Sequence, residues 1–152
     1  MSLRKQLLAL AACILLCSLP AIAQEGGYWR PASSTAKSIT GDIFFSANAI
    51  SINYANFPLA EIRTLTPDEL MAAFDADAGS GSGHLYRLNI PPARKFEHHN
   101  TLCGSDATEW MATFVSGNTL QMTLFSGDKM PVLTIDALAN SNNRCGTFSY
   151  TR

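Results

Sequence analysis

Apolar residues recur at every second position through much of this chain. Ile43 and Phe45 alternate with Asp42 and Phe44, and Ile50, Ile52 and Tyr54 alternate with Ser51 and Asn53. Between the two runs, Ser46-Ala47-Asn48-Ala49 is suited to a turn, because Asn tolerates positive φ. A period of two marks a strand with one buried and one wetted face, so residues 39–54 are predicted to form a β-hairpin. Leu59–Leu65 is a shorter strand candidate after Pro58, and Leu85–Ile90 is another, stopped by Pro91-Pro92. A second hairpin is predicted over Glu109–Val115 and Thr119–Phe125, with Ser116-Gly117-Asn118 as its turn. Trp110, Ala112 and Phe114 share one face of its first strand, and Leu120, Met122 and Leu124 share one face of the return strand. Val132–Ile135 is a further strand candidate. The last strand runs from Cys145 to Thr151, with Phe148 and Tyr150 on one side and Thr147 and Ser149 on the other. Cys145 falls on the Thr147 side.

The helical period of 3.6 residues is clear in one place. Thr66-Pro67-Asp68-Glu69 combines an N-cap, a proline at the first helical position and a glutamate able to complete a capping box. Leu70, Met71, Ala73 and Phe74 follow, so one short helix is predicted at about 67–75, lying as a lid across one end of the sheet assembly. Beyond it, Asp75-Ala76-Asp77-Ala78 leads into Gly79-Ser80-Gly81-Ser82-Gly83. A calcium loop starting at Asp75 would need glycine where Ser80 stands and glutamate where Tyr86 stands. A phosphate-binding loop would need a lysine that is absent here. The composition is that of a flexible linker. Together these elements predict a mainly β fold: a small single-domain antiparallel β-barrel or sandwich of about seven or eight strands with one short helix.

The first 23 residues stand apart. Arg4 and Lys5 precede an apolar run from Leu7 to Leu19, Pro20 breaks it, and Ala21-Ile22-Ala23 offers the small residues of a cleavage site. This is the pattern of a secretory signal peptide, and cleavage is expected after Ala23. The run is shorter than the roughly 20 residues that span a bilayer. A rival processing site, Leu10-Ala11-Ala12-Cys13, resembles a lipobox and would leave a lipid on Cys13. The expected location is periplasmic or secreted. Residues 24–38 then form a lead, with Gly26-Gly27 and Pro31, and residues 39–152 the β-domain. Tyr28 and Trp29 are unusual in such a lead; they pack back onto the domain or offer an aromatic contact to a partner.

Removing residues 1–23 also changes the balance of charge. It leaves 129 residues, enough for one domain. Of eleven basic residues Arg4 and Lys5 are lost, so nine face twelve acidic ones and the net charge becomes −3. No basic run survives to neutralise phosphates, which argues against nucleic acid as a partner. Of four cysteines, Cys103 and Cys145 remain. In an oxidising compartment an even pair predicts a structural disulfide, expected here to sit off the main aromatic core.

Few residue patterns carry chemistry. Arg94-Lys95 is the only basic pair after the signal, and with His98-His99 it marks a charged excursion that is the candidate partner-binding loop. Adjacent histidines on an extended chain point to opposite sides, so they make a poor metal pair, and no cofactor or metal is expected. There is no Gly-x-Ser-x-Gly elbow, and paired cysteines supply no thiolate nucleophile. The chain is therefore read as a non-enzymatic binding module for another protein or for a small apolar ligand inside a barrel.

Two sequence blocks support that reading by resemblance. Asn100-x-Leu102-Cys103-Gly104 and Cys145-Gly146-x-Phe148-x-Tyr150, with Phe125-Ser126-Gly127 between them and Thr40-Gly41-Asp42-Ile43 before, resemble a family of small exported bacterial proteins of unknown function. The resemblance implies a compact β-domain in the cell envelope and carries over no catalytic residue. More remotely, size, export and a single disulfide are similar to the periplasmic lysozyme inhibitors, although their inhibitory motif is absent. An inhibitor of a cell-wall hydrolase and a structural envelope protein are the alternatives.

Overall fold

The structure, a computed structural model, describes residues 24–77 and 79–152. The signal peptide expected over residues 1–23 and the alternative lipid site at Cys13 lie outside the described residues.

The alternating segments become nine strands: β1 (Gly27–Pro31), β2 (Ile43–Phe45), β3 (Ala49–Ile52), β4 (Ala55–Pro58), β5 (Ala60–Thr64), β6 (His84–Ile90), β7 (Thr108–Ser116), β8 (Thr119–Ser126) and β9 (Arg144–Thr151). They form one antiparallel sheet in the order β4-β3-β2-β1-β9-β8-β7-β6-β5. Every neighbour is a sequence neighbour except the β1–β9 pair, which joins the first strand to the last. The two edge strands, β4 and β5, are separated only by Leu59. Residues 55–64 thus act as one bent strand, whose first half pairs with β3 and whose second half pairs with β6. The sheet is not closed: its edges are joined through the chain and not through hydrogen bonds, an arrangement that fits an open barrel or a sandwich.

Residues 24–38, expected as a lead, are part of the fold. β1 is an interior strand, bonded to β2 through Gly27–Trp29 and to β9 through Arg30 and Pro31. Trp29 is fully buried, with Nε1 donating to the Glu25 carbonyl at 2.7 Å and the Arg152 guanidinium 4.3 Å from its ring centroid. Too short and too rich in glycine and proline to show a period, β1 is held by its neighbours and by this ring, whose burial stabilises by roughly 2–3 kcal/mol on the scale of large side chains.

Alternation on β7 sends its residues to two apolar layers. Met111 and Val115 join the interior with Trp29, Ile50, Met122 and Phe148. Trp110, Ala112 and Phe114 face outward, where Leu70 and Phe74 of α2 (Pro67–Phe74) and Leu138 of α3 (Ile135–Ala139) cover them. Phe74 stacks on Phe114 with centroids 5.9 Å apart. The predicted helix therefore lies on the outside of the sheet, not across its end. Its capping box is complete: Glu69 N donates to Thr66 Oγ1 at 3.3 Å and Thr66 N to Glu69 Oε2 at 2.9 Å. Arg63 adds two bonds to the same carboxylate, each 2.6 Å.

Two further helices were not expected. α1 (Ser34–Ile39) is capped by Ser33 and α3 by Thr134, so Val132–Ile135 is no strand. At five or six residues each is too short for a helical period to show, and only the capping residue marks it. The glycine run is also corrected. Ser82 pairs with Val115 through bonds of 3.1 and 2.8 Å, strapping the run onto β7. A Cβ on Gly81 would lie 2.1 Å from the Val115 carbonyl oxygen, and one on Gly83 2.2 Å from that of Thr113. These glycines serve close backbone approach rather than flexibility.

Cys103 and Cys145, 42 residues apart, form the disulfide. It fastens the loop after β6 to β9, and closing such a loop contributes about 4 kcal/mol on the chain-entropy account. Its position differs from expectation. A register shift between Leu124↔Gly146 and Phe125↔Arg144 breaks the alternation at Cys145, which packs against the interior cluster instead of away from it.

Candidate functional site

β1, β2 and β3 alternate as strictly as β7, but among the described residues no helix lies over their outward side chains; α1 only borders them. In register, Tyr28 lies opposite Phe44, Phe44 opposite Ser51, and Ser51 opposite Asn56, a row across four strands. The intervening Trp29, Ile43 and Ile52 point inward and are buried. Tyr28 is 54% exposed and Phe44 44% exposed, side by side.

The turn between β3 and β4 adds a third ring. Asn53 and Tyr54 have φ of +48° and +63°, and such two-residue turns need positive φ at both positions and favour glycine at the second. A tyrosine there carries a strain of order 1 kcal/mol. Tyr54 is fully exposed, so no packing offsets that cost.

A cleft of about 500 Å³ lies between these rings and α1. Polar groups ring it: Lys37 from α1, Asp42 before β2, Asn53 from the turn and Glu97 from the loop after β6. The Tyr28 hydroxyl donates to Asp42 Oδ2, and this bond raises the phenol pKa above its ordinary value, with burial and the Asp42 charge adding to the effect. Thr40 holds the back of the cleft: its hydroxyl donates to the Ala36 carbonyl at 3.1 Å and pairs with the Tyr150 hydroxyl at 2.7 Å. Burial raises the Tyr150 pKa well above its ordinary value, so it remains a neutral phenol there.

The four loop residues singled out from the sequence are not gathered into one site. Arg94 and Lys95 are exposed, with the Arg94 guanidinium 5.9 Å from the Phe96 ring centroid. His98 Nδ1 lies 3.1 Å from the Ser38 carbonyl oxygen, and the Asn100 side chain donates to the same oxygen at 3.3 Å. The loop is thereby docked on α1, and the residue it contributes to the cleft is Glu97. Among the described residues no group of three or more His, Cys, Asp or Glu side chains is arranged to hold a metal. No helix among them is long and apolar enough to cross a membrane.

Of the cleft residues, Tyr28 was marked in the sequence as a contact for a partner, and Thr40 to Ile43 only as part of a block of resemblance. Phe44 carried a readable signal, a large apolar residue at an outward position of an alternating strand. Tyr54 was concealed because alternation assigned it to the strand, where the structure has the turn. Comparison with known proteins adds no kinship: no family model, curated protein or solved structure is significantly similar to this chain. The fold and the site define an unclosed nine-stranded antiparallel sheet with, among the described residues, one wall free of helices and an aromatic, polar-rimmed cleft on it.

Proposed function

We propose that this protein is an exported, non-enzymatic binding module that holds a saccharide in the aromatic cleft. The observation that carries the reading is the exposed Tyr28–Phe44 pair, with Tyr54 beside it, inside a ring of Asp42, Asn53, Lys37 and Glu97. A pyranose has an apolar C–H face and a rim of hydroxyls. Aromatic rings suit the first, and carboxylate, amide and ammonium groups suit the second. A volume of about 500 Å³ is within the range of small-ligand sites. The signal-peptide pattern of residues 1–23 would bring the cleft to the envelope, where glycan is at hand.

Calorimetric titration with N-acetylglucosamine tetrasaccharide is the test. Saturable binding is expected, weakened at least tenfold by Phe44→Ala, with the sugar recovered uncut. Absence of binding, or equal binding by the variant, overturns the saccharide reading; a cleaved sugar overturns the non-enzymatic one.

One observation favours an inhibitor of a cell-wall hydrolase instead. Tyr54 stands at a hairpin tip with its whole side chain in solvent, the form of an anchor that enters a partner's cleft. Lysozyme activity assayed with the protein and with Tyr54→Ala decides this reading: loss of inhibition in the variant supports it, and no inhibition by the native chain removes it.

A further inference from the structure

Eight large apolar side chains are exposed among the described residues. Three are the rings of the aromatic cleft, and Ile62 stands alone. The other four, Met71, Met130, Val132 and Ile135, gather around α3. Met130 and Val132 line a hollow of about 510 Å³ that also reaches the buried Leu138. Met71 and Ile135 line another, of about 410 Å³, between α2 and the start of α3. Residues 130–135 thus form an apolar ridge between two hollows. We propose that this ridge is the docking surface for a cationic amphipathic segment of a partner protein.

Folding does not require these four side chains, because each element at the ridge is anchored by others. α2 buries Leu70, Ala73 and Phe74, the segment before α3 buries Leu133, and α3 buries Leu138. The Gly127 carbonyl, ahead of the ridge, accepts from Trp110 Nε1 at 3.1 Å, and Thr134 caps α3 by accepting from Ala137 N at 3.3 Å. Val132 and Ile135 are therefore left 63% and 67% exposed on a backbone held at both ends. A contiguous exposed apolar patch marks an interaction site. A strip fixed in advance loses little conformational freedom when it is covered. The methionines add side chains that adapt to a partner's shape.

Charge decides which partner fits. The hollows are lined by three carboxylates, Asp68, Asp106 and Asp136, and by one cation, Lys129. Asp128 stands beside Lys129 in the chain, and Asp75 ends α2. Arg144, which donates to the Ala73 carbonyl of α2 at 3.3 Å, is the second cation of this face. Arg63 and Arg87, also nearby, are paired with Glu69 and Glu109 at 2.6 and 2.8 Å. Acids thus outnumber the remaining cations around the strip. Such a rim repels an anionic lipid surface, and it repels a second copy, which would bring the same acids against it. An amphipathic helix with Lys or Arg beside its apolar face matches both strip and rim. No residue of the ridge lines the aromatic cleft, so the surface is independent of the saccharide reading.

The test is titration of the isotope-labelled protein, followed by amide NMR, with a peptide of about 15 leucine and lysine residues patterned as an amphipathic helix. The same peptide with glutamate for every lysine is the control. For the basic peptide, shifts are expected to cluster at Met71 and residues 130–136, with the acidic peptide at least tenfold weaker. Val132→Ser and Ile135→Ser, both at exposed positions and free to keep the fold, should each weaken the basic peptide at least fivefold. Absence of binding, equal binding of the two peptides, shifts centred on other acids such as Asp42 and Glu97, or unchanged affinity in both variants would overturn the inference. So would a dimer that Val132→Ser dissolves, which gives the ridge to a second copy, or co-sedimentation with phosphatidylglycerol vesicles, which gives it to a lipid surface. A failed saccharide titration would leave it standing.

Discussion

The outward face of β7 and the outward face of β2 each present a phenylalanine, and the two are treated in opposite ways. Phe114 lies under α2, stacked on Phe74 and 5% exposed. Phe44 lies beside Tyr28 in solvent. The wall of β6, β7 and β8 is buried on its outer side under α2 and α3 and on its inner side by the main core; among the described residues, the wall of β1–β3 has α1 only at its border. Burial explains Phe114 without reference to anything outside the chain. It does not explain Phe44, and still less Tyr54, which is both exposed and strained. Residues that folding does not require are the ones to examine for function.

That contrast can be broken by substitution. The largest effect is expected on the covered wall: Phe114→Ala should lower stability by about 3–5 kcal/mol, as for a buried aromatic. Urea denaturation measures it, and a loss as small as that of Phe44→Ala would erase the distinction between the walls. Next comes the bond that fastens the loop bearing Glu97. Cys103→Ser should cost about 2–4 kcal/mol in oxidising buffer, seen as a lowered melting temperature.

The third expectation concerns the ion pair where the segment before β1 meets β6. Burial acts to raise the Glu25 pKa, but its hydrogen bonds to His84 and Thr113 outweigh this and leave it below the ordinary 4.5. Its contribution to stability is therefore present above pH 4.5 and lost as pH falls through the lower folded value. The His84 pKa is raised above 6.5, chiefly by the bond to Glu25, so its contribution is complete below 6.5 and lost as pH rises through the folded value. Melting temperature should peak between about pH 4.5 and 6.5 and lose its alkaline fall in His84→Gln. A profile flat from pH 6 to 8 would contradict the pair.

The smallest effects belong to the bare wall. Phe44→Ala should change stability by no more than about 0.5 kcal/mol. Tyr54→Gly should raise it by about 0.5–1 kcal/mol, because glycine adopts φ of +63° without strain. A variant that gains stability while losing ligand would sharpen the comparison most.

Much of the covered wall could be read from the sequence. Trp110 to Leu124 alternate over two full strands, and Thr66 to Glu69 carry a complete capping box, so both were placed nearly to the residue. Cys103 and Cys145 paired because only two cysteines follow residue 23. The cleft was not legible in the same way. It joins Tyr28, Lys37, Asp42, Tyr54 and Glu97, which meet only through the β1–β2 register and the docking of a loop on Ser38. No local period records such meetings. The loop 94–99 drew attention because charge and histidine are conspicuous in a sequence, whereas a carbonyl that anchors one of them is not. Cys145 was assigned to the wrong side because a one-residue bulge inverts alternation without leaving a mark in residue type.

The bend at Leu59 has a consequence for behaviour at high concentration. An open sheet has two edges that another chain could extend by strand addition. Here the same ten residues, 55–64, supply both edges, and each free ladder is only four or five residues long. Pro58 interrupts one of them, having no N–H to donate. Among the described residues a neighbouring copy therefore finds only a short template on either side, which disfavours extension of the sheet by strand addition.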